Sequence, residues 1–107
     1  VLLENAVIDV DYGGSEDFEW KAEVIKKLSE KAYRVRISAA RFSPYLLTGG
    51  INIYLVINPT TKIWDQLPKL ILFEEAGYAV IEFERNNVIN RIIGEESLVK
   101  VVNDLIN

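Results

Sequence analysis

The chain has no cysteine, no histidine and no methionine among its 107 residues. Without thiols there is no disulfide, no CxxC redox pair and no sulfur nucleophile. Without imidazole there is no Ser-His-Asp triad and no zinc site of the usual Cys/His kind. Every side chain that normally titrates near neutrality is also missing, so acid/base chemistry would fall to a carboxylate or a lysine with a displaced pKa. No uncharged apolar run approaches the roughly 20 residues that a membrane-spanning helix needs. The N-terminal Val1-Leu2-Leu3 meets Glu4 too soon for a signal peptide. The expected location is cytoplasmic, with no membrane partner.

Half of the chain is apolar, and that half is weighted to β-branched residues, with 13 Ile and 11 Val. Such a composition favours a sheet with helices packed on it over a helical bundle. The length is that of one domain, residues 1–107. The net charge of −4 is unevenly spread. Lys21, Lys26, Lys27, Lys31, Arg34, Arg36 and Arg41 fall close together, whereas Glu4 to Glu19 holds six acids and no base. A split of this kind steers charged partners locally.

The run Ile51 to Asn58 lies between Gly49-Gly50 and Pro59, and Tyr54 to Ile57 is apolar on both faces. An edge strand or a half-solvated sheet has no need of that, so this run is expected to be a central strand with helices on both sides. Ala6 to Tyr12 reads as the first strand, with Asp9 and Asp11 on one face. Ser15 is placed to cap a helix reaching about Ala32, whose stripe Phe18, Ala22, Ile25, Leu28 and Ala32 is expected to face the sheet. Tyr33 to Ile37 alternates apolar and basic residues, as a near-edge strand does. Ser43-Pro44 opens a short helix through Leu47. Pro68 marks the start of a helix from Leu67 to Ala76 that Gly77 closes, either kinked or preceded by a turn. Tyr78 to Glu84 and Val88 to Ile93 form a hairpin about Asn86-Asn87. Glu95 to Ile106 is a helix with Leu98, Val101, Val102, Leu105 and Ile106 inward. This order predicts an α/β fold, a three-layer α/β/α sandwich. Its mainly parallel sheet has about five strands, an antiparallel hairpin at one edge and a C-terminal helix.

Asp9-x-Asp11 before Gly13-Gly14-Ser15 is the most suggestive chemical feature. Ligands of α/β sheets bind beyond the carboxyl ends of strands, and two carboxylates on one face suit Mg²⁺. The blander account is a solvated strand face followed by a turn and a cap. The hydrophobic-Asp-x-Asp-x-Gly pattern resembles the first motif of haloacid-dehalogenase-like phosphatases. That resemblance implies a Mg-dependent phosphoryl-transfer enzyme with Asp9 as nucleophile and Asp11 as acid/base. Asp11 with Glu19-Trp20-Lys21 spells the Asp…Glu-x-Lys of restriction-endonuclease-like nucleases, and the strands Ile53 to Pro59 and Gly77 to Phe83 resemble the non-catalytic half of that fold. Because Glu19 and Lys21 fall in a helical first turn, where residues two apart diverge, the resemblance implies an inactive relative. Val80 to Ile106 is similar to the end of thioredoxin-fold proteins, which implies shared architecture without the redox cysteines.

Two surfaces complete the reading. Lys27, Arg34, Arg36 and Arg41 are the candidate contacts for nucleic-acid phosphates. Tyr45, Leu46, Leu47 and Trp64 form an aromatic-aliphatic cluster of the kind found at protein interfaces. The primary expectation is a non-catalytic domain without a cofactor that acts through protein contact, as a homo-oligomer or as a module of a larger assembly. Nucleic-acid binding and Mg-dependent phosphoryl transfer are the alternatives.

Overall fold

The computed structural model describes residues 1–12, 17–38, 50–57 and 63–107, with the backbone alone described at positions 12, 38 and 63–67. A 3-10 turn, Leu3–Asn5, leads into β1 (Val7–Tyr12), and α1 (Phe18–Lys31), β2 (Arg34–Ser38) and β3 (Ile53–Ile57) follow. The chain continues through α2 (Ile63–Glu75), β4 (Ala79–Arg85), β5 (Val88–Gly94) and α3 (Glu96–Ile106). The short helix expected at Pro44 to Leu47 lies outside the described residues. Among the described residues no helix is long and apolar enough to cross a membrane.

The strands form one sheet in the order β2-β1-β3-β5-β4. β1 pairs in parallel with β2 and β3, and β5 pairs antiparallel with β3 and β4. The sheet is therefore mixed, with its parallel half on the β2 side and the hairpin at the far edge. β3 is the middle strand, as its two apolar faces require. On one face Ile8, Val10, Ile53, Leu55, Ile57 and Ile92 pack under Val24 and Leu28 of α1 and under Leu98, Val99, Val102 and Ile106 of α3. On the other, Tyr54 and Ile93 meet Leu70 and Phe73 of α2. Three layers result.

The inward face of α1 differs from expectation. Lys21, Val24 and Leu28 are buried, and the Trp20 ring packs edge-on against Phe83 with centroids 5.9 Å apart. Phe18 stays 68% exposed. The helix carries two apolar stripes about 100° apart, and the one holding the large indole, with more area to bury than Ala22, faces the sheet. On α3, Val99 is buried and Val101 exposed, reversing the expected choice. α1 begins at Phe18 rather than after Ser15, and α2 begins at Ile63, so Pro68 falls inside α2 rather than at its start. That proline withholds the N–H that would otherwise reach the carbonyl of residue 64.

The end of α2 is as the sequence implies. Gly77 has φ 92°, its N–H donates to the Glu74 carbonyl, and the Tyr78 N–H donates to the Phe73 carbonyl. These are the two bonds of a Schellman ending, and the Phe73 and Tyr78 rings supply its usual apolar contact at 6.5 Å. Asn86 and Asn87, with φ 53° and 65°, make the tight hairpin turn.

β3 is entered through Asn52, whose N–H donates to the Val7 carbonyl while its Oδ1 accepts from the Val7 N–H, both at 2.8 Å. Gly94 lies against the same point, where an added Cβ would stand 2.6 Å from the Asn52 carbonyl oxygen and 2.7 Å from Ile53 Cδ1. Gly94→Ala is therefore expected to destabilise the fold by about 1–3 kcal/mol through overpacking. A urea midpoint unchanged from the parent would show that the two backbones can separate freely.

Candidate functional site

The carboxyl ends of β1, β2 and β3 lie at one end of the sheet. The turn of the β4–β5 hairpin points the same way, because β5 runs antiparallel to β3 with Arg91 opposite Val56. Ligands of α/β sheets gather at such an end.

Asp9 and Asp11 project from β1 toward the α2 side, the face opposite Ile8 and Val10. In register Asp9 lies between Arg36 of β2 and Tyr54 of β3. Asp9 is only 2% exposed, so the solvated strand face allowed for above is corrected: this part of the sheet is covered. Its Oδ1 is buried and accepts no hydrogen bond among the described residues, although the residue is otherwise engaged. Asp11, nearer the carboxyl end, accepts at Oδ2 a 2.8 Å hydrogen bond from the Tyr54 hydroxyl. The Tyr54 ring is buried and packs on Phe73, with centroids 6.3 Å apart. Burial first, then the hydrogen bond to Asp11 and the charges of Asp11 and Asp9, push the phenol well above its ordinary pKa. Tyr54 thus remains a donor throughout the usual pH range.

Magnesium favours oxygen ligands and commonly uses one or two carboxylates. Here one Asp11 oxygen is committed to Tyr54 and Asp9 is shut off from solvent. The described residues contain no group of three Asp, Glu, His or Cys side chains placed to hold a metal ion. They do not by themselves make a magnesium site.

Two further polar groups went unread in the sequence. Arg91, buried on the same face, donates from Nε to Glu82 Oε2 at 2.8 Å. A charged residue directly before the apolar pair Ile92-Ile93 in a strand was the available signal. At the hairpin tip, Arg85 Nε donates to Asp17 Oδ2 at 2.6 Å, Asn86 Nδ2 donates to the same oxygen at 3.2 Å, and the Arg85 guanidinium lies over the Trp20 ring at 4.6 Å. Asp17 has φ 57°, left-handed for a non-glycine residue. No local pattern announces a contact between residues so far apart in the chain.

The expected basic patch is divided. Arg34 and Arg36 are exposed on β2, on the face that carries Asp9, whereas Val35 packs toward α1. Lys27 belongs to α1, in the layer on the opposite side of the sheet. Glu19 is exposed and Lys21 buried, so the nuclease-like pair does diverge along the helix. Arg41, Tyr45, Leu46 and Leu47 lie outside the described residues, as does the side chain of Trp64.

No family model matches the chain. Among solved structures its fold is similar to the extragenic suppressor protein suhB of Bartonella henselae, with TM-score 0.80 and 20% identity over 99% of this chain and 43% of that one. It is also similar to SuhB of Mycobacterium tuberculosis, with TM-score 0.75, 18% identity and coverage of 98% and 43%. These establish the α/β sandwich architecture. A Thermotoga maritima IMPase aligns with TM-score 0.69 and 26% identity over 98% of this chain and 43% of that one. A curated relative of the same organism, a fructose-1,6-bisphosphatase/inositol-1-monophosphatase, is 27% identical over 98% of this chain and 44% of its own length. The chain therefore spans less than half of the relatives it matches. The two Thermotoga maritima relatives carry phosphatase names, which corrects the expectation of a domain acting through protein contact alone.

Tyr54→Phe removes the donor to Asp11 and is expected to cost about 1–3 kcal/mol near neutral pH. Because the folded phenol titrates above its unfolded value, the stability it contributes is intact below about pH 10 and declines as pH rises further, where only the unfolded chain gives up the proton. The stability gap between parent and variant should therefore narrow above about pH 10. A gap that stays constant into that alkaline range would contradict a raised Tyr54.

Proposed function

We propose that the chain forms part of a phosphatase that hydrolyses phosphomonoesters of small polyols, with chemistry at the carboxyl-end edge of β1 and β3. The observation that carries this reading is the similarity, over 98% of this chain and 44% of the relative, to the Thermotoga maritima fructose-1,6-bisphosphatase/inositol-1-monophosphatase, matched by a solved IMPase of that organism in both sequence and fold. The Asp-x-Asp strand supports it independently, since the same two residues suggested phosphoryl transfer from the sequence.

Hydrolysis joins a water oxygen to phosphorus, breaks the ester P–O bond and delivers a proton to the departing alcohol. In this reading Asp11 accepts the water proton, and the Tyr54 hydroxyl, 2.8 Å away, holds the carboxylate that does so. Asp9, buried one pleat earlier, sets the local negative charge. No step is assigned to a metal.

Phosphate release from inositol 1-phosphate and fructose 1,6-bisphosphate, with and without added Mg²⁺, tests the proposal. The protein should turn over at least one of them. Asp11→Asn should lose about 10²-fold or more, the usual worth of a general base, with its circular dichroism unchanged. An inactive parent under all four conditions removes the reading. An active parent with an undiminished Asp11→Asn variant removes Asp11 from it.

A further inference from the structure

α2 carries two stripes at helical spacing. Leu70 and Phe73 close over Tyr54 and Ile93, and on the other side of the helix Pro68, Ile71, Leu72 and Glu75 recur at three- and four-residue steps. At the helical angle per residue these four positions span a band about 100° wide, centred opposite the buried pair. All four are exposed, Ile71 at 54% and Leu72 at 46%. α3, by contrast, turns Glu96, Lys100 and Asp104 outward, as a helix at the outside of a layered domain does. A helix that is apolar on two sides is suited to lie between two bodies, and here the sheet is one of them. The charges beside the outer stripe indicate the other. Glu74 and Glu75 are exposed at the end of α2. Arg34 is exposed on the same side of the sheet, since its register partner Val7 packs with the α2 cluster, and its guanidinium lies 5.7 Å from the exposed Tyr33 ring. α2 leads through Gly77 into β4, where Ala79 aligns across β5 with Ile53 and so with Ile8, one residue past the partner of Arg34. The acids and Arg34 therefore stand at the same end of the sheet, the acids over its hairpin half and Arg34 at the β2 edge. One surface holds an apolar centre, an acidic flank and a basic flank.

We propose that this surface binds a second copy of the chain, face to face about a two-fold axis parallel to the strands, with Ile71 and Leu72 at the contact. Such an axis keeps the ends of the two sheets level and exchanges left for right. It sets Glu74 and Glu75 of each copy toward Arg34 of the partner subunit, so the charge pairing is made twice. A surface with one sign of charge would repel its own copy, whereas this one is self-complementary. Arginine and tyrosine are also residue types that interfaces favour. The contact uses the face of the α2 layer and leaves the sheet edges unpaired. It involves none of the residues to which the phosphatase reading assigns a role, and mass is its readout, so either can fail without the other.

Sedimentation equilibrium of the intact protein over a range of concentrations tests the proposal. The mass should climb from the 12.2 kDa of one chain to about twice that and stop there. Leu72→Glu should weaken the association by at least about tenfold, with the circular dichroism unchanged because the position is exposed. Arg34→Glu should weaken it by about tenfold as well, and adding Glu74→Arg and Glu75→Arg to that variant should restore it, because opposite charges then face each other again. Ile37→Asp, which changes an exposed apolar residue on the α1 side of the sheet, should leave the mass curve as it is. A monomer at every concentration would overturn the proposal, and so would a series of masses that grows past the dimer. Full association by a folded Leu72→Glu variant, equal loss in Ile37→Asp, or a charge-reversed variant that stays as weak as Arg34→Glu alone would each do the same.

Discussion

Burial of β3 on both faces is the constraint from which the rest of the architecture follows. Ile53, Leu55 and Ile57 point one way and Tyr54 the other, and each set meets a helix layer. A strand of this kind cannot lie at a margin, because either face left open would give large apolar groups to water. It therefore needs a strand on each side. β1 supplies a parallel neighbour and β5 an antiparallel one, and the outer strands β2 and β4 inherit the edges. Their exposed charges, Arg34 and Arg36 on one and Glu82 and Glu84 on the other, are the kind that keep edge strands from pairing with other chains.

The two faces of the sheet are chemically unlike. Under α1 and α3 the packing is mostly apolar, with Lys21 and Asn90 the buried polar side chains; Asn90 Nδ2 donates to the Val88 carbonyl. Under α2 the sheet carries Asp9, Asp11, Tyr54 and Arg91. Polar groups in such a place are costly unless hydrogen-bonded. Tyr54 answers Asp11, and Glu82 answers Arg91. Period-two alternation along β1 links these facts: with Ile8 and Val10 turned to the dry face, Asp9 and Asp11 must turn to the other. The sheet thus has one mostly apolar face and one that carries polar and charged groups.

Much of this fold was legible because its signals are local. Gly77, the asparagine pair and the doubly apolar run at β3 each specify their own conformation through φ preference or periodicity. The site was legible in part. Asp9 and Asp11 stood out as a pair, but their burial depends on which face α2 covers, and no spacing within Ile8 to Asp11 encodes that. The face of α1 was misread because Phe18, Ala22 and Ile25 satisfy helical periodicity as well as Trp20, Val24 and Leu28 do. The choice between them is made by Phe83, a residue far along the chain. Tyr54 read as one more apolar member of a strand, since its hydroxyl acquires meaning only once β1 lies alongside.

The bond between Arg85 and Asp17 spans 68 positions of sequence. Closing a loop of that length costs entropy before any contact within it forms. An exposed pair does not repay that closure by itself, so the bond depends on the sheet that brings the hairpin and the first turn of α1 together. Its service is that of a latch: it ties the left-handed aspartate that precedes α1 to the tip of the β4–β5 hairpin.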